Sequence, residues 1–168
     1  MADGWQIKDL DGMYFVTFTV VGWADLFIRK SYKDVLVEHF KHYRGRFGLK
    51  VHAYVIMSNH VHAILSCKDY DLRKVIGWWK LYTAKKIFPM VLNENESRRN
   101  WLIQLFEGEK SNRNKGFQIW QNGSHPIHLY SESWIKQKLN YIHQNPVKEG
   151  IVAKGEYFLY SSAGAYIG

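Results

Sequence analysis

Apolar residues recur along this chain with two different periods, and the changes from one period to the other outline its elements. Tyr14 to Val21 (YFVTFTVV) is rich in β-branched and aromatic residues and predicts a strand, ended by Gly22. Ser31 can cap a helix in which Val35, Leu36, His39, Phe40 and Tyr43 fall at helical spacing as far as about Phe47, before Gly48 stops it. Leu49 to Met57 (LKVHAYVIM) and His60 to Ser66 (HVHAILS) predict two more strands, and the turn residues Ser58 and Asn59 join them as a tight hairpin. Asp69 or Asp71 can cap the next helix. Leu72, Val75, Ile76, Trp79 and Tyr82 lie on one side of it, Lys74, Lys80, Lys85 and Lys86 make other parts basic, and Pro89 is expected to close it.

Asn93 to Gly116 is polar, charged and poor in strand signals. A short helix is expected over Glu96 to Phe106 and a loose loop over Gly108 to Gly116, so the stretch reads as an insertion rather than a second domain. Phe117 to Gln121 and Ile127 to Tyr130 are short strand candidates. Ser131 begins a helix with Trp134, Ile135, Lys138, Leu139 and Ile142 in phase, which Pro146 is expected to break. The tail, Val147 to Gly168, mixes extended apolar residues with Gly and Ser, and no internal repeat is visible. Strand, helix, two strands, helix, strand and helix in that order predict an α+β fold. It is an antiparallel sheet with helices packed on it in the ferredoxin-like, split βαβ manner, as one domain over residues 1–168 with an insertion at about 93–116.

Composition narrows the classes of function. The chain of 168 residues is long enough for a real core, and 46% apolar residues exclude a disordered chain. Aromatics reach 16%, with seven Trp and eleven Tyr, enough to fill a core and leave rings free to stack on bases. Lys and Arg outnumber Asp and Glu by 23 to 15, and the net charge of +8 suits either a well-solvated surface or an attraction to phosphate backbones. The single cysteine, Cys67, rules out an internal disulfide, reads as a small core residue and is consistent with a reducing cytoplasm. Met1 to Lys8 shows no signal-peptide pattern, and no apolar run approaches the roughly 20 residues that span a membrane.

Met57 to Leu65, MSNHVHAIL, carries the most chemistry. His60 and His62 are two apart on an expected strand, so both imidazoles leave the same face. Two such rings can ligate one divalent ion and leave positions open for substrate oxygens. The plain alternative is a hydrogen-bonded polar residue beside a core strand, but two polar rings in so apolar a strand need a reason to be there. Zinc suits imidazole, yet a closed zinc site needs more ligands: Cys67 has no partner at finger-like spacing, and His125 and His128 (HPIH) flank a proline in a loop-like stretch. Mg²⁺ or Mn²⁺, completed by phosphate oxygens, is the more natural ion for a basic protein.

The second informative segment is Leu139 to Val152, LNYIHQNPVKEGIV. Tyr141 and Asn145 are four apart and share one face of a continuous helix. A phenol there can attack phosphorus while the amide oxygen supplies a third metal ligand. Phenols ionise only near pH 10, and a nearby cation both favours the phenolate and offsets charge developing on a scissile phosphate. The alternative is a packing tyrosine, and Pro146 pushes Asn145 away from helical angles. His143 points elsewhere on the helix, and Lys148 is a candidate phosphate contact.

Taken together, MSNHVHAIL and, about eighty residues later, YIHQNPVKEGIV resemble the single-tyrosine HUH transposases, and most closely the REP-associated tyrosine transposases. The similarity runs from near Tyr14 to the YSSAGAY segment at Tyr160 to Tyr166. It implies a ferredoxin-like or RRM-like fold with the histidines on a central strand. It also implies Mg²⁺- or Mn²⁺-dependent nicking of single-stranded DNA, often near a hairpin, with a 5′-phosphotyrosine and a free 3′-OH as products and strand transfer as in DNA transposition. By motif, His60 and His62 match the HUH pair, Tyr141 the nucleophile and Asn145 the third ligand; insertion-sequence members tend to carry Gln there. Compact members act as dimers with the tyrosine helix placed in trans, whereas REP-associated ones can be monomers, so a homodimer is one of two assemblies the resemblance implies. Lys80, Lys85, Arg98, Arg99, Lys110 and Arg113 are candidate DNA contacts. Two other readings compete: a non-catalytic binder of single-stranded or hairpin DNA with the same fold, and a zinc hydrolase using His60, His62 and His125.

Overall fold

Alternation along the first strand, β1 (Tyr14–Thr19), sends Tyr14, Val16 and Phe18 to one side of a sheet and Phe15 and Thr17 to the other. This is a computed structural model, and it describes residues 6–93, 95–108 and 116–167. Strands β2 (Leu49–Ile56), β3 (His60–Cys67) and β4 (Ile127–His128) complete a four-stranded antiparallel sheet in the order β2-β3-β1-β4. With helices α1 (Lys30–Phe47) and α2 (Leu72–Asn93) between the strands, this is the ferredoxin-like arrangement expected of the element order.

The sheet has a core on each face. Val16, Phe18, Val61, Ala63 and Leu65 pack with Leu36 and Phe40 of α1 and Trp79 of α2 in the larger one. Phe15, Val55 and Ile64 pack under Ile142 of α4 (Glu132–Lys148) in the smaller. Strand β2 serves both because a bulge between Val51 and Ala53 turns residues two apart to opposite faces. Strand β3 has no bulge, so with Val61, Ala63 and Leu65 committed to α1 and α2, His60, His62 and Ile64 lie on the α4 side.

Local chemistry explains several boundaries. Gly48 ends α1 in the left-handed conformation at φ 65°, its N–H donating to the Tyr43 carbonyl. The Asp71 carboxylate accepts the Arg73 N–H at the start of α2, and Ser131 Oγ accepts the Trp134 N–H at the start of α4. Other expectations are corrected. Ser31 lies inside α1, which begins at Lys30 without a side-chain cap, because the turn Leu26–Ile28 buries Leu26 and Phe27 and packing sets where the helix starts. Pro89 does not close α2: burial of Ile87, Phe88 and Val91 carries the helix past the one bond that proline removes. Pro146 does not break α4, where Ile142, Asn145 and Pro146 are all buried against the sheet side. Val20 and Val21 leave β1 for a turn through Gly22, and the expected strand over 117–121 is only an isolated bridge between Val20 and Trp120. The strand expected over 127–130 shortens to β4, next to a proline that has no N–H to donate.

Helix α3 (Arg99–Gly108) begins three residues after Glu96, whose buried carboxylate accepts from Arg29 and Arg98 instead. Residues 109–115, most of the expected loop, lie outside the described residues, as do Lys110, Arg113 and the first five residues of the N-terminal segment. The tail forms short turns, Gly155–Tyr157 and Ala163–Tyr166, and is stitched to β2 by a bridge between Ser161 and Val55. Among the described residues no helix is long and apolar enough to cross a membrane.

Candidate active site

Pairing of β1 with β3 sets Thr17 opposite His62 and Thr19 opposite His60. Thr17 Oγ1 lies 2.9 Å from His62 Nδ1, and Asn59 Oδ1 lies 2.7 Å from His60 Nδ1. The Asn59 amide nitrogen donates to the Trp23 carbonyl at 3.4 Å and to Asp25 Oδ1 at 3.3 Å, which turns its oxygen towards the histidine. That oxygen only accepts, so His60 Nδ1 carries the hydrogen and Nε2 keeps its lone pair. The Thr17 hydroxyl can accept in the same way from His62 Nδ1, leaving the second Nε2 free as well.

The imidazole centroids are 4.6 Å apart. Burial pushes the His62 pKa down to about 3, helped by His60 and by Lys138. Burial also lowers that of His60, against the pull of Glu149. Both rings are therefore neutral near pH 7, the form that ligates a cation.

Helix α4 closes the site from above. The Tyr141 ring meets His62 edge-on at 5.2 Å and Phe15 at 5.9 Å, while remaining 37% exposed. Lys138 and Lys148 place their Nζ atoms 5.6 and 5.5 Å from the centre of that ring. Asn145, one helical turn on, is 7% exposed, and among the described residues its side-chain amide makes no hydrogen bond. Imidazole nitrogens and an amide oxygen are donors of the kinds that suit a divalent cation whose other positions go to phosphate oxygens.

The structure thus brings His60, His62 and Tyr141 together and places Asn145 on the same face of α4. It does not bring His125 or His128 to them: His128 stacks on Tyr14 at 4.9 Å and lies 3.6 Å from Asp9, and His125 sits in an exposed turn at φ 43°. No group of three His, Cys, Asp or Glu able to hold a metal occurs among the described residues, so the three-histidine hydrolase is not assembled. His143 is bonded to Ser162 Oγ at 2.9 Å, and the buried Cys67 thiol donates to the Phe47 carbonyl. Of the candidate DNA contacts, Lys80 is a structural staple whose ammonium donates to the Gln121 and Gly123 carbonyls, both at 2.7 Å, with burial lowering its pKa to about 8. Arg98 is engaged by Glu96 and by the Asp25 carbonyl, whereas Lys85 and Arg99 are exposed. Thr17, Asn59 and Lys138 were missed as site residues. Lys138 had a signal, lying three residues before Tyr141 on one helix, but Thr17 needs the β1–β3 register.

The family described as IS200-like transposases matches residues 18–145. Among solved structures, a REP-associated tyrosine transposase bound to a REP hairpin superposes with a TM-score of 0.71 at 16% identity, over 98% of this chain and 84% of that one. A presumed transposase from Deinococcus radiodurans R1 superposes with a TM-score of 0.51 at 15% identity, over 77% of this chain and 87% of the other. At such identities the likeness establishes the fold. No curated protein matches the sequence.

Proposed function

The chain belongs to the IS200-like transposase family, and we propose that it nicks single-stranded DNA and transfers the cut strand through a 5′-phosphotyrosine on Tyr141. The observation that carries this reading is the Tyr141 ring, partly exposed and 5.2 Å from His62, beside two imidazoles whose Nε2 atoms are free. Tyr141 Oη attacks phosphorus, the bond from phosphorus to the 3′ oxygen breaks, and that oxygen leaves as a 3′-OH with the proton it gains. Rejoining is the reverse: a 3′-OH attacks the phosphotyrosine and the phenol is released, so the phosphodiester energy is kept. His60, His62 and Asn145 would hold Mg²⁺ or Mn²⁺, which supplies charge stabilisation at the scissile phosphate. Thr17 and Asn59 keep both imidazoles in the ligating tautomer. Lys138 and Lys148 offer cations to the phosphates on either side of the phenol.

The substrate we favour is single-stranded DNA that carries a hairpin, because the similar solved transposase holds one. Tyr141 meets His62 of its own chain, which supports a nucleophile acting in cis and a centre complete in one copy rather than in a homodimer. Incubation with labelled hairpin-bearing DNA and Mn²⁺, followed by denaturing electrophoresis, is expected to give a covalent protein–DNA band that Tyr141→Phe abolishes. If Tyr141→Phe cleaves as well as the wild type, another group is the nucleophile. A non-catalytic binder would retain DNA without any covalent band. His60→Ala is expected to lose cleavage and keep most of the DNA affinity; equal loss of both would make His60 a folding residue.

A further inference from the structure

We propose that the single strand crosses the nicking centre along a line of rings and lysines, stacked at one end on Tyr130 and Trp134 and at the other on Trp23. This extends the reading of Tyr141 as nucleophile and rests on it. Trp134, Lys138, Tyr141, Asn145 and Lys148 recur at intervals of three and four residues, so they form one stripe along α4. At its start the rings of Tyr130 and Trp134 lie 5.3 Å apart, and they are 72% and 39% exposed. One turn on, Lys138 Nζ sits 4.8 Å over the Phe15 ring and leads to Tyr141 and then His62 and His60. Beyond His60, the ring of Trp23 follows at 6.4 Å and is 60% exposed.

Trp23 is presented rather than left over. Its φ of 54° is rare for a residue with a side chain and persists only where the surroundings impose it. The Asn59 amide holds its carbonyl while the same amide holds His60. Leu105 of α3 packs so closely on Gly22 that an added Cβ would meet it at 2.9 Å. The insertion helix therefore braces the turn that carries this ring.

Exposed rings interleaved with lysines match a single strand, whose bases stack and whose phosphates need cations. Carboxylates also flank the line, beside basic side chains: Glu132 lies 3.7 Å from Lys136 in a pair exposed to solvent, and Asp9 lies 3.6 Å from His128. Glu149 acts on His60. Seven helical residues separate Trp134 from Tyr141, about 10 Å along the axis, which spans two or three stacked nucleotides.

The test uses the full chain in EDTA and reads binding alone, by fluorescence anisotropy of labelled single-stranded oligonucleotides trimmed one nucleotide at a time from the 5′ or the 3′ end. The Tyr130→Ala/Trp134→Ala protein is expected to lose about ten-fold or more in affinity, and to lose the gain that nucleotides at one end confer on the wild type. Trp23→Ala is expected to lose the gain from the opposite end. Trp134→Phe, which keeps a stacking ring, should retain it, separating stacking from misfolding. The proposal is overturned if both variants respond to the same end, or if neither alters the dependence on length. It is equally overturned if sedimentation shows that Tyr130 and Trp134 hold two copies of the chain together. Failure of the nucleophile reading has a different signature: wild-type protein binds these oligonucleotides in EDTA but, with Mn²⁺ supplied and hairpin-bearing DNA, forms no adduct at Tyr141.

Discussion

Hydrogen bonds to Thr17 and Asn59 govern what His62 and His60 can do, because an Nδ1–H donated to either oxygen leaves the Nε2 lone pair available. Thr17→Val keeps the shape of the side chain and removes the acceptor. It is expected to weaken Mn²⁺ binding by about ten-fold or more, measured by calorimetry, and unchanged affinity would show that Thr17 does not orient the ring. Burial of His62 also has a pH signature. Its pKa falls to about 3 in the folded protein, against an ordinary value of 6.5, so between those values the unfolded chain holds a proton that the native chain does not. Stability therefore falls as pH drops below 6.5, by about 1.4 kcal/mol per pH unit for this one group, and is fully present above it. His52, His60 and His143 are depressed too and add to the same slope. Urea unfolding of metal-free protein at pH 5 and pH 6.5 should show the decline, and His62→Asn should make it shallower by about one proton; an unaltered slope would assign it to other groups.

The helices and strands themselves show which parts of the site the sequence displays and which it hides. His60 and His62 are legible as a same-face pair because strand parity is local, and Tyr141 with Asn145 because a helix repeats every three to four residues. The partner of His62 is not legible, since Thr17 is 45 residues away and only the β1–β3 register brings it near. Prolines mislead for a related reason: each removes one hydrogen bond, a local cost that buried Phe88 and Val91 in α2, and buried Ile142 in α4, outweigh through tertiary packing. Glu96 looks like part of a surface helix, yet its buried carboxylate ties the chain ahead of α3 to Arg29 at the start of α1. Glu96→Ala leaves Arg29 and Arg98 without that partner and is expected to cost about 1–3 kcal/mol, seen as a lower urea midpoint with unchanged slope. A shift below about half a kcal/mol would reduce the cluster to surface ion pairs.

Across the whole molecule, the helix that carries Tyr141 is tied to the sheet by a segment that holds none of the proposed site residues. Residues 155–167 run beside β2, where the Tyr160 carbonyl accepts from the Ile56 N–H and the Ser162 N–H donates to the Tyr54 carbonyl. Ser162 Oγ is also bonded to His143 in α4, so the tail stitches the tyrosine helix to the edge strand of the histidine sheet. Gly155 makes that approach possible: a Cβ there would land on the His143 carbonyl oxygen, which is helix backbone and cannot swing aside as a side chain would. Gly155→Ala must therefore displace either the tail or α4, at about 1–3 kcal/mol of stability. Because Tyr141 is two residues from His143, covalent adduct formation is expected to fall further than DNA affinity does. Gly164→Ala is the control, since its Cβ would meet nothing nearer than the Glu156 carbonyl at 3.7 Å. If Gly155→Ala forms adduct at the wild-type rate, Ile142 and the smaller core alone suffice to hold Tyr141 over His62. If adduct is lost while the protein still binds DNA and unfolds cooperatively, the tail is part of what aligns the nucleophile.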